Sequence, residues 1–398
     1  MMPPRRVLKF IGVTAALAAL CLLASYYVIL PMYAAQRLQT LLGAGCDARV
    51  RVGSVQYNFR DQLLLRGLLL ATARGHTLMR AEEVRIQFDG NVLGGIKQIH
   101  IIGGIVAATR DADGSWNWRE AWREGDAAQA SSGAGAAAAL PAEILLQDCT
   151  LRLRVMDPGK DEFQVAITGL QGGLARRDRR YVLENMRGVC CRGAAQAVGD
   201  IQLDTLAYDI RGLIQDARIE DLFAESPDKT KQLAGALTVH LRYNRDPEAG
   251  AAHTFSGSAD IRDGFLWELS LFERMMKVLK YSGIKLMKFD EAHIRFYYRG
   301  SHLTIPDAQF LSDSISFHGT GYLEPTGAID FDFVPRLGRK AKVEDIPLFG
   351  EFGKQMLGGM EQNLMKIHVT GTLFQPHTMV EPLGPLSELS GSVQKFLK

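Results

Sequence analysis

The sequence predicts a mainly-β protein, a mostly antiparallel sheet with few helices behind one N-terminal transmembrane helix. Three observations predict it. Short runs that alternate apolar and polar residues recur along the chain, each closed by Gly, Pro, Asn or Asp turn signals. Only two stretches beyond the N-terminus, 266–283 and 344–364, carry an apolar stripe at helical spacing. One apolar run without a charge, Phe10–Leu30, matches a bilayer in length.

The elements follow in order. Residues 1–9 form a basic tip with Arg5, Arg6 and Lys9, which puts the N-terminus in the cytoplasm by the positive-inside rule. Residues 10–30 form the anchor, a helix of roughly 31 Å at 1.5 Å per residue. Tyr26, Tyr27 and Tyr33 suit the far interface, and Pro31 limits continuation. A cleaved signal peptide is the rival reading. The run exceeds the ~7–15-residue core of such peptides, and Met32-Tyr33-Ala34 is a poor cleavage site. No second apolar stretch of that length follows, so the rest is expected as one exported body.

The N-terminal β domain is expected over 36–125, with strands in 48–57, 62–73, 77–89 and 97–111 and a short Trp-bearing helix in 115–124. Residues 126–140, rich in Ala, Gly and Ser, read as a linker. A middle β region over 141–250 has strands in 143–157, 162–176, 180–190, 201–212 and 232–244, with a brief helical turn in 219–226. The C-terminal β region spans 251–380. It holds strands in 252–267, 293–300, 302–312, 314–323, 328–333 and 365–376 together with helices 266–283 and 344–364. Residues 381–398 are a tail.

A formal net charge of +2, with both signs mixed along the chain, gives no electrostatic case for nucleic acid. The five cysteines are scattered without a CxxC pair, so no zinc or thioredoxin-type site is expected. Adjacent Cys190 and Cys191 should face opposite ways if both lie in a strand, and a disulfide from one of them to Cys149 is left open. No GxSxG, P-loop or HExxH motif is present. We therefore expect no enzyme, no catalytic residue, no metal and no cofactor. His293 with His302, Asp330 with Asp332, and the Arg176–Arg180 run each have a sharper reading as a metal pair, a cation site or a lipid-phosphate contact. Each also reads as exposed strand or hairpin polarity.

The apolar strand faces carry the functional question. Ile315, Phe317, Leu323, Ile329, Phe331 and Phe333 alternate along two strands around a Glu-Pro-Thr-Gly turn. Such a face packs on another sheet, closes into a barrel or binds something apolar. Periodicity alone leaves a closed core and a lipid-facing groove both open. Helix 344–364, with Phe349, Phe352, Met356 and Met360 on its stripe, reads as a cap on the sheet or as a contact for membrane or partner.

In its order of elements the sequence resembles the AsmA-like family of bacterial envelope proteins. The resemblance is carried by the basic tip and single membrane helix, then RVGSVQYNFRDQLLLRGLLLATA, then AEEVRIQFDGNVLGGIKQIHIIGGIVAATRDADGSWNW with Gly114, Asn117 and Trp118. Towards the C-terminus it is carried by Gly264–Leu266, helix 266–283, SDSISFHGTGYLEPTGAIDFDF and HVTGTLFQP. It covers most of 1–125 and 255–380. The resemblance implies a long curved sheet forming an apolar groove, in a single-pass inner-membrane protein whose bulk lies in the periplasm. It implies lipid binding or transport in outer-membrane biogenesis, with phospholipid acyl chains and envelope proteins as partners. The chain is short for a bridge across a periplasm, which points to a shuttle, adaptor or subunit. The alternative is a non-enzymatic scaffold or assembly factor of the cell envelope with a closed β core.

Overall fold

The computed structural model describes residues 49–58, 60–72, 74–90, 95–110, 117, 141–156, 162–203, 205, 207–222, 234–246, 253–265, 272, 274–275, 289–299, 302–313, 315–324, 327–337, 365–372 and 375–382. Among them are eighteen strands and one four-residue helical turn, α1 (Ile219–Leu222), so the protein is mainly β. The chain divides into two compact units, 1–186 and 187–398.

The first unit holds β1 (Arg49–Arg51), β2 (Ser54–Tyr57), β3 (Gln62–Ala71), β4 (Thr77–Phe88), β5 (Ile96–Arg110), β6 (Glu143–Met156) and β7 (Glu162–Arg177). β3 takes both β1 and β2 on one side and β4 on the other, and the unit boundary falls within β8 (Arg180–Cys190). The run 48–57, expected as one strand, is split because Gly53 donates its N–H to the Arg66 carbonyl across from Gly67, which takes a left-handed φ of 66°. β5 and β6 are parallel, the one parallel pair whose register is defined here. Two apolar rows cross this unit by register: Tyr57, Leu63, Ile86, Ile99, Ile144 and Leu174, then Val55, Leu65, Val84, Ile101, Leu146 and Gly172. The β2–β4 end of these rows is buried around Leu65, Val84 and Ile86. The buried Asn117 fastens its segment to β5, accepting from the Thr109 N–H and donating to the Ala107 carbonyl.

The second unit holds β9 (Gly193–Gln202), β10 (Tyr208–Arg218), β11 (Ala234–Arg245), β12 (Thr254–Phe265), β13 (Phe289–Arg299), β14 (His302–Leu311), β15 (Ile315–Leu323), β16 (Ala328–Leu337), β17 (Met365–Thr372) and β18 (Pro376–Pro382). Each strand pairs antiparallel with the next in sequence, and the sheet does not close into a barrel. Sequential antiparallel strands need only short turns, which the Gly, Asp and Pro signals supply.

Several expectations are corrected. The run 201–212 is not one strand, since β9 ends at Gln202 and β10 begins at Tyr208. β9 itself is rich in Ala and Gly, with only Val198 and Ile201 as β-branched residues and no aromatic one, so it carries a weak strand signal. β18 occupies residues assigned partly to a tail. Its two prolines are tolerated because it pairs with β17 alone among the described strands. The condition set for Cys190 and Cys191, that both lie in a strand, is not met. β8 ends at Cys190, and Cys191 takes a left-handed φ of 47° in the turn that follows. Cys149, Cys190 and Cys191 are free thiols.

Among the described residues no helix is long and apolar enough to cross a membrane. The anchor 10–30, the linker 126–140 and helix 344–364 lie outside the described residues. Of helix 266–283, only Phe272, Arg274 and Met275 are described, and all three are helical.

Candidate functional site

The register of β9–β18 assembles one continuous apolar face. Its central row runs Ala195, Ile214, Val239, Ala259, Ile294, Ala308, Gly319, Phe333, Ile367 and Val380, each directly paired with the next. A second row runs Gly199, Ile210, Tyr243, Phe255, Tyr298, Leu303, Leu323, Ile329, Gly371 and Pro376. Side chains two apart point the same way, so these rows lie on one side of the sheet. No charged side chain interrupts either row.

The β13–β17 part of this face is covered. Phe272 and Met275 sit on it at 1% and 0% exposure, in one cluster with Phe289, Phe310, Ile315, Phe317, Phe331 and Phe333. The Phe272 ring centroid lies 4.8 Å from that of Phe310, edge-on, and 6.3 Å from that of Phe317. The residues read from sequence as the lipid-facing set are therefore brought together here. Ile315, Phe317, Ile329, Phe331 and Phe333 are fully buried, and Leu323 packs beside them partly exposed. Phe349, Phe352, Met356 and Met360 lie outside the described residues.

The β9–β12 part of the same face, with the adjoining edge of β13, is half-buried. Ile210, Ile214, Val239, Leu241, Phe255, Ala259, Phe296 and Tyr298 all keep some solvent exposure, and Tyr243 is 41% exposed. Phe296 lies over Gly257, where an added Cβ would come within 2.9 Å of the ring, and it stacks on Phe255 with centroids 5.6 Å apart. Sequence reasoning passed over this stretch because its strands mix Ala, Gly and Thr with the larger apolar residues. Only the pairing shows that Ile210, Tyr243, Phe255 and Tyr298 fall in one line.

An aromatic and basic rim closes one edge of the half-buried face. The Tyr208 hydroxyl is 2.6 Å from His253 Nδ1, the Tyr243 hydroxyl is 3.4 Å from it, and the two tyrosine rings are 4.9 Å apart. Burial pushes the Tyr208 hydroxyl up, hydrogen bonding with Tyr243 adds to this, and the neighbouring Arg245 charge pulls it down. Arg245 is paired directly with Tyr208 across the β10–β11 ladder, so it belongs to the apolar side.

The opposite side carries the charges. Asp332 accepts from His368 at 2.8 Å and Lys366 at 3.3 Å, and Lys366 also reaches Glu381 at 3.1 Å. Asp332 is thus engaged by Lys366 and His368, and Asp330 lies 3.8 Å from His368. His293 pairs with Asp260, whereas His302 packs on the Tyr322 ring, so the two histidines do not meet. Arg177 pairs with Glu184 beside the Asp178 turn. Arg242 grips Asp209 at 2.9 and 3.1 Å, with Arg211 at 3.1 Å, and these bonds hold the Asp209 carboxyl below its usual range against the effect of burial. A shallow depression of about 500 Å³ lined by Gln196, Leu213, His240, Arg242 and Ser258 lies mainly on this charged side. Among the described residues no group of His, Cys, Asp and Glu is placed to hold a metal ion.

No protein-family model, no curated protein and no solved structure matches this chain. What stands is an open, largely antiparallel β-sheet architecture with a surface-forming apolar face.

Proposed function

We propose that the protein binds acyl chains of membrane lipids along the half-buried apolar face of β9–β13, as a non-enzymatic lipid-binding or lipid-transfer protein of the bacterial envelope. The observation that carries this reading is the line Ile210, Tyr243, Phe255 and Tyr298, apolar and partly open, continuous with a face that is closed elsewhere. Covering apolar surface gains about 25 cal/mol per Å² without specific polar partners, which suits a ligand recognised by its tails. The AsmA-like resemblance and the Phe10–Leu30 run support a location at the inner membrane with the bulk in the periplasm. A role as a shuttle, adaptor or subunit in outer-membrane biogenesis is part of this reading.

The second reading, a scaffold with a closed core, draws on the burial of Phe317 and its neighbours under Phe272 and Met275. Photocrosslinking separates the two. A benzoylphenylalanine at position 255 of the full chain, irradiated in cells and analysed by mass spectrometry, is expected to yield lipid adducts. Protein–protein adducts at 255 in place of lipid would favour the scaffold.

A further inference from the structure

Arg245 is an odd residue to find on an apolar sheet face. Its Nε is shut off from solvent and has no hydrogen-bond partner. A buried guanidinium donor left unpaired is costly, and guanidinium groups match phosphate oxygens in geometry as well as charge. Tyr208, Tyr243 and His253 crowd the same edge, and their hydroxyl and ring nitrogen atoms meet within 2.6 to 3.4 Å. Amphipathic aromatic rings beside a cation, at the end of an apolar strip, suit the level where lipid tails give way to a headgroup. On the neighbouring strand Asp209 is held by Arg211 and Arg242 and lies on the charged side of the sheet, and it lines a polar depression at the strand ends with Asp200, Asp246 and Arg245.

We propose that Arg245, with Tyr208, Tyr243 and His253, is the headgroup station of this face and selects lipids that carry a phosphate. The proposal rests on the acyl-chain reading above. In it, the tails lie over Ile210 and Phe255 and the phosphate meets the Arg245 guanidinium. The tyrosine hydroxyls serve as additional donors.

The test compares two fluorescent ligands with the same acyl chains, phosphatidylglycerol and diacylglycerol, titrated into the full chain in neutral detergent. Phosphatidylglycerol is expected to bind about tenfold more tightly, with an advantage that shrinks as salt rises. In Arg245→Gln the advantage should vanish while diacylglycerol binding is unchanged, and Arg245→Lys should restore part of it. Equal binding of both lipids, unaffected by Arg245→Gln, overturns the headgroup station and leaves the acyl-chain reading standing. Binding of neither lipid overturns both. Inorganic phosphate that binds at Arg245 without competing with lipid shows an anion site only and also overturns the proposal.

Discussion

The Phe333 ring lies directly over Gly319, its cross-strand partner, so closely that any Cβ at position 319 would collide with it. Gly321 stands in the same relation to Phe331. Two glycines on β15 thus make room for two phenyl rings on β16, and the rings fill the space the glycines leave. Both rings belong to the buried cluster that also holds Phe272 and Met275. Gly319→Ala should therefore overpack the cluster and cost about 1–3 kcal/mol. Thermal or urea unfolding would check it, and an unchanged midpoint would mean that Phe333 can swing aside freely.

Covered and half-buried parts of the face should respond differently to truncation. Phe317 is 0% exposed, and Phe317→Ala is expected to cost about 3–5 kcal/mol through lost burial and a cavity. Phe317→Asp would place a charge there without a partner and should prevent folding. Phe255→Ala, on the half-buried part, should cost clearly less than Phe317→Ala. Urea midpoints of the two alanine variants decide it. Equal losses would indicate that the β9–β13 face is as tightly covered as the rest.

The strand content was legible because β15 and β16 alternate cleanly, and Ile315, Phe317, Phe331 and Phe333 fall on one side as their spacing requires. What lies on top of that side was not legible. Phe272 reaches it from another stretch of sequence, and alternation says nothing of contacts between distant segments. The half-buried strip was hidden for a related reason. Tyr243 and Phe255 become neighbours only through the β11–β12 register, which follows from where the turns fall. Arg245 ends β11, and a residue at a strand end gives no sign in the sequence of which side it takes. Strands with alternating large apolar and aromatic residues, such as β15 and β16, revealed themselves in sequence, while the Ala-rich β9 did not.

Acidification should weaken the fold through His318. Burial lowers its pKa, and the Arg336 charge adds to the effect, with Asp307 opposing. A folded-state pKa below the unfolded value, about 6.5, means the neutral ring is favoured in the fold. The corresponding stability is complete above that pH and is lost as pH falls through the lowered value. Denaturant midpoints should therefore drop between pH 7 and pH 5, and the drop should be smaller in His318→Gln. An identical pH slope in the variant would assign the acid sensitivity to other groups. At lower pH, protonation of Asp307 and Asp332 should follow. Hydrogen bonds from Gln309 and Arg295 hold the first below its usual range. Bonds from His368 and Lys366 hold the second there despite burial.

Cys190 offers a test of the turn at the end of β8. Its thiol is 2% exposed, and burial pushes its pKa up to about 12, with the charge and hydrogen bond of Cys191 adding to the shift. The thiolate is the reactive form, so at pH 8 its population should be lower than that of an ordinary cysteine by roughly a thousandfold. Iodoacetamide should leave Cys190 unmodified in the folded protein and label it readily in urea, as read by peptide mass spectrometry. Cys191 is also raised, by burial first, but it is less buried and sits on the turn, so it should label ahead of Cys190. Rapid labelling of Cys190 under native conditions would mean that this turn opens, and with it the strand end that leads into β9.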